Sequence, residues 1–581
     1  MKRALTLAGL IVVGAIVACQ SPEEPPREEP SRRPNVVLIG VDTLRADHLG
    51  CYGYARPTSP RIDAFAAESA VFRQAIASSP WTLPSFASML TGLVPSHHRA
   101  GEGRPDSRSG LDTRFPTLAS ILQAQGYATG SFVSNGWVST RVGLARGFAE
   151  HTLFMRSEQA AQAAVRFVDA HADQPFFAFV HLLAPHAPYE PPPEDAALFI
   201  DPAYDGPVGT RFDVMEKAET DADRRRVVDL YDGEIRLTDR LIGSILDALS
   251  ARGLTERTMI VVTADHGEEL LDHGARGHGH TLYQELLHVP LLVRFLHAQF
   301  RGQVTRRVRT LDLMPTILDT LGIAPPAGLD AVSLVPLLRG EPMPAESERA
   351  FAEFVSTPGE QKAVLLGHEK LVLTQWSGAT ALFDLTNDPR EHEDRSAAMP
   401  ERAAALAAII QNTLVAPATG AYVIVQNLRS GDVVKLTVTT PGTFEEIATS
   451  HTESDDRVTV APDRPLVELE LHGSDPKRDS DGVHLRPART HPAVAITSAS
   501  LNGEPFPPDR VFAGETFQRM YLHPPPWTFL EQPTTAAKVA WLPEPRKEDA
   551  CRIVVTFVPP PPTIEMDEAL RRHLRELGYL E

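Results

Sequence analysis

An unbroken apolar and β-branched run, Asn35-Val-Val-Leu-Ile-Gly-Val41, constrains the fold more than any other stretch of the chain. A strand with no polar face has to be covered on both sides, which is the situation of a strand inside a parallel sheet. Thr258-Met-Ile-Val-Val-Thr263 has the same texture. Between the two, Leu230, Ile235, Ile242, Ile245, Leu246 and Leu249 recur at helical spacing and predict a helix over 229–252. Strands alternating with helices predict an α/β sandwich around a mainly parallel sheet, occupying about residues 34–410. From 421 to 558 the pattern changes to short alternating runs such as Val433-Val-Lys-Leu-Thr-Val438 and Leu466-Val-Glu-Leu-Glu-Leu471, broken by Gly, Pro and Asp. These predict a β-sandwich-like accessory module. A Pro-rich joint at 559–562 leads to an expected C-terminal helix within 563–581, with Leu570, Leu574 and Leu577 on one face.

At the other end, Lys2 and Arg3 precede an apolar run over 5–18 that is too short to span a membrane comfortably and has the layout of a signal peptide, residues 1–18. Ile16-Val17-Ala18-Cys19 resembles a bacterial lipobox, with Cys19 as the acylated first residue of the mature chain. Residues 19–33 are rich in Pro and Glu, have nothing apolar to bury, and read as an extended tether. The expected location is the bacterial envelope, on the outer membrane, because Gln20 after Cys19 does not resemble an inner-membrane retention signal. A net charge of −19 argues against nucleic acid as a partner. Besides Cys19 only Cys51 and Cys551 remain, too few for a disulfide framework or a thiolate metal site.

Three segments place acidic, imidazole and hydroxyl groups where α/β sheets hold ligands, just past the ends of strands. They are Val41-Asp42-Thr43-Leu44-Arg45, Trp81-Thr82-Leu83-Pro84-Ser85-Phe86, and Thr263-Ala264-Asp265-His266-Gly267-Glu268-Glu269. Carboxylates at strand ends can hold a divalent cation, and the Asp265-His266 pair adds oxygen and nitrogen ligands. Read singly, an aspartate after a strand is more often a helix cap, so it is the conjunction of the segments that points to a metal. Pro84 predicts a helix start, which puts the Thr82 hydroxyl near a positive helix end, either as a cap or as a group that works on an anion.

Residues 35 to about 408 resemble the catalytic domain of the sulfatases, a branch of the alkaline-phosphatase superfamily. The matching blocks are PNVVLIGVDTLRADHLGCYGY, SMLTGLVPSHH, HLLAPHAPYEPP, VVTADHGEEL, GHGHTLYQELLHVPLLV and ALFDLTNDPRE, in the shared order. That resemblance implies an alkaline-phosphatase-like fold with a smaller C-terminal sheet. It implies Asp42, Asp265 and His266 as metal ligands, with Thr82 as a nucleophile that also touches the metal. His186, His278 and His280 fall where the family contacts the substrate's anionic head or protonates its leaving group.

Two departures shape the expected chemistry. The family's Cys or Ser in C/S-x-P-x-R, the precursor of formylglycine, is Thr82 here, and the motif's arginine is Phe86. The usual second aspartate beside Asp42 is Thr43. Fewer carboxylates with an imidazole retained lean from calcium towards zinc or manganese. A threonine ester cannot collapse to an aldehyde, so water has to release it, a route that suits phosphoryl transfer. Threonine nucleophiles resemble those of phosphodiesterases and of phosphoethanolamine and phosphoglycerol transferases in the superfamily. The sequence therefore predicts a metal-dependent hydrolase of sulfate or phosphate esters, on glycan or lipid substrates. The alternatives are a phospho-group transferase acting on envelope lipid or glycan and a catalytically decayed binding lipoprotein. Gly274-Ala-Arg-Gly277-His-Gly279 lacks a dinucleotide context, there is no G-x-S-x-G elbow, and 475–482 departs from an EF-hand spacing.

The N-terminal reading predicts that Cys19→Ser moves the protein from the membrane fraction to the soluble one, since a lipid at Cys19 is its sole expected anchor. Fractionation with carbonate washing checks it, and a variant that stays with the membrane contradicts the lipobox.

Overall fold

The computed structural model describes residues 33–104, 107–209, 218–355, 361–374, 378–414 and 421–426, then the strands and several connections of a β-rich region up to 556, and Arg572. The expected signal peptide, nearly all of the tether including Cys19, and all of the expected C-terminal helix except Arg572 lie outside the described residues.

The first apolar run forms β1 (Asn35–Val41), every residue of it buried. It sits inside an eight-stranded sheet with β2 (Ala70–Phe72), β3 (Ala128–Val133), β4 (Glu150–Leu153), β5 (Phe176–Leu182), β6 (Thr258–Ala264), β7 (Leu291–Arg294) and β8 (Gly302–Val304), in the order β8-β2-β7-β6-β1-β5-β3-β4. The strands β6, β1, β5, β3 and β4 are mutually parallel, while β7 is antiparallel to both β6 and β2. The two apolar runs of the sequence are thus neighbours at the centre, which explains why neither has a polar face. The register pairs Val41 with Ala264, so the next residues, Asp42 and Asp265, emerge side by side.

The helices packed on this sheet include α1 (Thr82–Thr91), α2 (Ser157–Ala170) and α3 (Asp221–Ala251). The last begins eight residues before the periodic stretch. Its first turns are polar, and a capping box between Thr220 and Asp223 starts it where periodicity gives no signal. Gly92, with a φ of 71°, ends α1 in the left-handed conformation that glycine adopts without strain.

A smaller four-stranded antiparallel sheet follows in chain order, β9 (Ala350–Phe354), β10 (Gln361–Leu366), β11 (Glu369–Thr374) and β12 (Thr380–Asp384), with α4 (Pro400–Thr413) against it. Its own core holds Phe351, Val364, Leu371, Leu382, Leu406 and Ile410. Glu353 of β9 ties this sheet to the loop before α1, since its carbonyl accepts from the Ser79 hydroxyl at 2.8 Å and its amide donates to the Ser78 carbonyl at 2.9 Å.

Among the described residues beyond 420, one seven-stranded and one six-stranded path of mostly antiparallel strands share a single buried cluster. Val423, Val425 and Ile553 enter it from one sheet; Leu436, Leu469 and Ile496 enter from the other. Two sheets closing on one core is the packing of a β-sandwich. Along 466–471 burial alternates as the sequence pattern does, with Val467, Leu469 and Leu471 inside.

The seat of α1 is tight. A Cβ on Gly40 of β1 would lie 2.6 Å from the Phe86 ring, which is itself edge-on to Phe179 and His181. Gly40→Ala is expected to cost about 1–3 kcal/mol through overpacking. It should also reduce activity by displacing the helix that begins at Thr82. Denaturant unfolding and turnover measured together check this, and an Ala variant unchanged in both would show that α1 does not depend on that contact.

Candidate active site

The carboxyl ends of the central strands converge on one buried group. Asp42 follows β1, Asp265 follows β6, and His181 lies in β5 opposite Gly40; all three side chains are inaccessible to solvent. An oxygen of each aspartate and a nitrogen of His181 lie within 4.8 Å of one another. Thr43 turns the chain with a φ of 55°, a strained value for a β-branched residue, and its amide hydrogen-bonds the Asp265 carboxyl. The Tyr231 hydroxyl secures that turn by donating to the Thr43 carbonyl at 2.6 Å.

Thr82 is the first residue of α1, with Trp81 as the N-cap, so the helix starts two residues before the proline that predicted it. Proline is tolerated at Pro84 because the first helical amides have no partner within the helix. The Thr82 hydroxyl lies 3.4 Å from His266 Nε2 and 3.5 Å from Asn135 Nδ2. Ser85, one turn along, donates to the Asp265 carbonyl at 2.6 Å and locks the helix start to the end of β6.

His266 Nδ1 faces the Gly267 carbonyl at 2.9 Å, an oxygen that only accepts, so this nitrogen carries the proton and Nε2 a lone pair. That lone pair lies 3.5 Å from Asp42 Oδ1 and 3.4 Å from Asp265 Oδ2. The same two carboxylate oxygens are buried and without a hydrogen-bond partner. A pocket of acceptors facing one another is costly unless a cation joins them, and carboxylate with imidazole is the donor chemistry of a divalent metal site. These residues therefore fit a divalent ion.

The electrostatics agree. Burial resists ionisation of Asp42, but the hydrogen bond from His181 and the electrostatic influence of the surrounding imidazoles of His186, His181 and His266 outweigh it and hold the group below the usual carboxylate range. Burial, and then the charge on Asp42, push Asp265 well above that range. Two carboxylates this close ionise together only with positive charge between them. Burial pushes His266 down to about 3 and His278 down to about 4, so both rings are neutral and able to act as ligands or bases at ordinary pH. His186 is lowered by burial too.

Of the sequence-expected residues, Asp42, Thr82, Asp265 and His266 meet directly. The His278 ring centroid lies 4.5 Å from that of His266 and 5.0 Å from that of His186. His280 Nε2 lies 3.0 Å from Glu269 Oε2, and although burial opposes its protonation this hydrogen bond raises its pKa. Asn135, His181, Glu268 and Tyr189 were not anticipated. Asn135 Nδ2 donates to Asp42 Oδ2 at 2.8 Å, while its Oδ1 accepts from the Trp137 amide at 2.9 Å, which fixes the amide plane. His181 carried a signal, an imidazole inside the otherwise apolar Phe176-Phe-Ala-Phe-Val-His-Leu182, where an idle histidine would be expensive. Asn135 carried none, because its place depends on β3 lying beside β5.

The Sulfatase family model matches residues 34–323, and the model for the N-sulphoglucosamine sulphohydrolase C-terminal region matches 278–415. Arylsulfatase K of Gallus gallus is 26% identical over 477 residues, covering 71% of this chain and 88% of that protein. The Delta 4,5-hexuronate-2-O-sulfatase of Bacteroides thetaiotaomicron is 23% identical over 417 residues, covering 62% of this chain and 84% of that protein. Among solved structures, a phosphonate monoester hydrolase of Agrobacterium radiobacter superposes with a TM-score of 0.56 at 24% identity, over 66% of this chain and 95% of that one. With the two family models spanning the large sheet, the small sheet and every residue of the buried group, the chain belongs to the sulfatase family of the alkaline-phosphatase superfamily and is an ester hydrolase.

Proposed function

We propose that hydrolysis runs through a covalent ester on Thr82, assisted by a divalent metal ion held by Asp42, Asp265 and His266, with the Thr82 hydroxyl in contact with it. The observation that carries this reading is the approach of Thr82 Oγ1 to within 3.4 Å of His266 Nε2, beside the unpartnered oxygens of Asp42 and Asp265. A bound divalent ion supplies Lewis-acid polarisation of the ester and positive charge that eases ionisation of the hydroxyl. Zinc or manganese suits the mixed oxygen and nitrogen donors better than calcium.

The chain's own residues account for the remaining steps. Thr82 Oγ1 attacks the central phosphorus or sulfur atom from the start of α1, whose first amides and positive end favour the anionic group. Asn135 Nδ2, fixed by the Trp137 amide, offers a further donor beside the attacking oxygen. His280, whose protonated form Glu269 favours, supplies the proton to the departing oxygen. Water then attacks the Thr82 ester and frees the acid. This second step favours phosphate esters over sulfate, because a threonine has no aldehyde hydrate through which to expel the group. His186 contacts the anionic head of the substrate in this reading. The hexuronate-2-O-sulfatase among the relatives supports a sugar ester as substrate. A lipid at Cys19 would hold the enzyme in a bacterial envelope, where such glycans or lipids are met.

Two outcomes follow. On a panel of aryl sulfates, phosphate monoesters and phosphate diesters, Thr82→Ala should lose nearly all turnover of whichever ester the wild type cleaves, while Thr82→Ser keeps part of it. Full activity of the Ala variant with metal bound would assign the attack to water. Elemental analysis should find that Asp265→Asn combined with His266→Ala removes the metal and leaves the fold intact; unchanged stoichiometry would place the ion elsewhere. Because Asp265 is pushed up by burial and by Asp42, binding has to displace its proton, so metal affinity should weaken as pH falls.

A further inference from the structure

β5 is buried over its whole length, and His181 is its single polar side chain. The register sets His181 opposite Gly40 of β1, and Phe86 of α1 lies against both, with its ring edge-on to the imidazole at a centroid distance of 5.2 Å. Asp42 follows two residues beyond Gly40, which brings its carboxylate to the same place; His181 Nε2 lies 3.3 Å from Asp42 Oδ2. The backbone at this point is fixed as well. The Ser134 hydroxyl donates to the His181 carbonyl at 3.0 Å and accepts from the Leu183 amide at 2.9 Å.

Asp42 does not need this imidazole as a hydrogen-bond partner. Asn135 Nδ2 already donates to Asp42 Oδ2 at 2.8 Å, whereas the His181 contact to that oxygen is longer. Among the described residues nothing partners His181 Nδ1, which is buried. An imidazole taken out of water for one long contact is costly, and an apolar side chain would suit the rest of β5 better. As a donor to a cation the same ring is well placed. One nitrogen of His181 and one oxygen each of Asp42 and Asp265 lie within 4.8 Å of one another. Donors on opposite sides of one zinc ion, each bound at about 2.0–2.2 Å, stand about 4 Å apart. Asp42 Oδ1 and Asp265 Oδ2, both unpartnered, complete the cluster, and Thr43 at the same strand end brings no carboxylate to it.

We propose that His181 is a further protein ligand of the divalent ion, beside Asp42, Asp265 and His266. This rests on the reading that the buried group holds such an ion. Three adjacent strands then each contribute to the site: β6 through the residues at its end, β1 through Asp42, and β5 through His181. A second imidazole also bears on which ion is held. Nitrogen donors favour zinc, manganese and other transition metals, while calcium and magnesium take oxygen.

X-ray absorption at the zinc edge, on the full-length protein loaded with zinc, counts the bound imidazoles directly. Two are expected in the wild type and one in His181→Gln, a substitution that keeps an amide donor towards Asp42 and removes the ring. A wild-type spectrum that fits a single imidazole overturns the proposal, and so does a spectrum unchanged in the variant. Zinc affinity, read by competition with a chromophoric chelator, supplies the second measurement. A residue that only supports a ligand costs about 10- to 100-fold in affinity when lost, so His181→Gln should lose more than that. A loss within that range, or none, assigns His181 to the support of Asp42 and overturns its role as a ligand. Failure of the underlying reading looks different, because the wild type would then bind no zinc, or Asp265→Asn combined with His266→Ala would keep it. If His181→Gln does not fold, as read by circular dichroism, the imidazole count of the wild type decides alone.

Discussion

Two carboxylates stand side by side in the dry centre of the molecule, and the rest of the site depends on that pairing. It is imposed by strand register. Val41 of β1 lies opposite Ala264 of β6, so Asp42 and Asp265 leave the sheet at the same level with no solvent to separate their charges. An arrangement of this kind is unfavourable by itself, because each charge is both desolvated and opposed by the other. It persists where the surrounding fold is strong enough to hold it and where positive charge compensates it. The large sheet supplies the first condition. His181 beside Asp42 and the amides of Thr43 and His266 on Asp265 supply part of the second. The remaining oxygens, Asp42 Oδ1 and Asp265 Oδ2, are where the protein stays unsatisfied and where a cation fits.

The second sheet also serves the first. Glu353 of β9 grips Ser78 and Ser79 ahead of Thr82, and its carboxylate accepts from Ser96. Further on, Glu391 accepts from the Gln284 amide, close to the His273–Glu285 pair. The segments before Thr82 and after His280 are thus both fastened from outside the large sheet. Thr82 gains a fixed position without being part of a strand, as its proposed role as nucleophile demands.

Much of this was legible in the amino-acid sequence, and the reasons are physical. A strand covered on both faces has to be apolar throughout, so β1 and β6 declared themselves, and polar residues just past their ends marked the site. The sandwich strands were readable because one of their faces is solvated, as the alternation in 466–471 shows. The start of α3 was not readable, because a capping box at Thr220 and Asp223 rather than an apolar face begins it. Nor was Asn135, two residues past β3, whose value comes from a strand order that places β3 beside β5 and so one strand away from β1. The assignment of Glu268 to His278 and Glu269 to His280 likewise depends on a two-residue ladder that no periodicity announces. Local pattern reveals what each element must bury. Which side chains meet is decided by strand order and register.

Whether Thr82 becomes covalently bound during turnover bears most directly on the account. Wild-type enzyme mixed with an ester it cleaves, quenched in acid within the first turnovers and digested, should yield the peptide that contains Thr82 heavier by one phosphate or sulfate group, with fragmentation placing the added mass on Thr82. Recovery of that peptide only in its unmodified form, under conditions where product forms in a burst and the quench preserves a synthetic phosphothreonine or sulfothreonine standard, would contradict it.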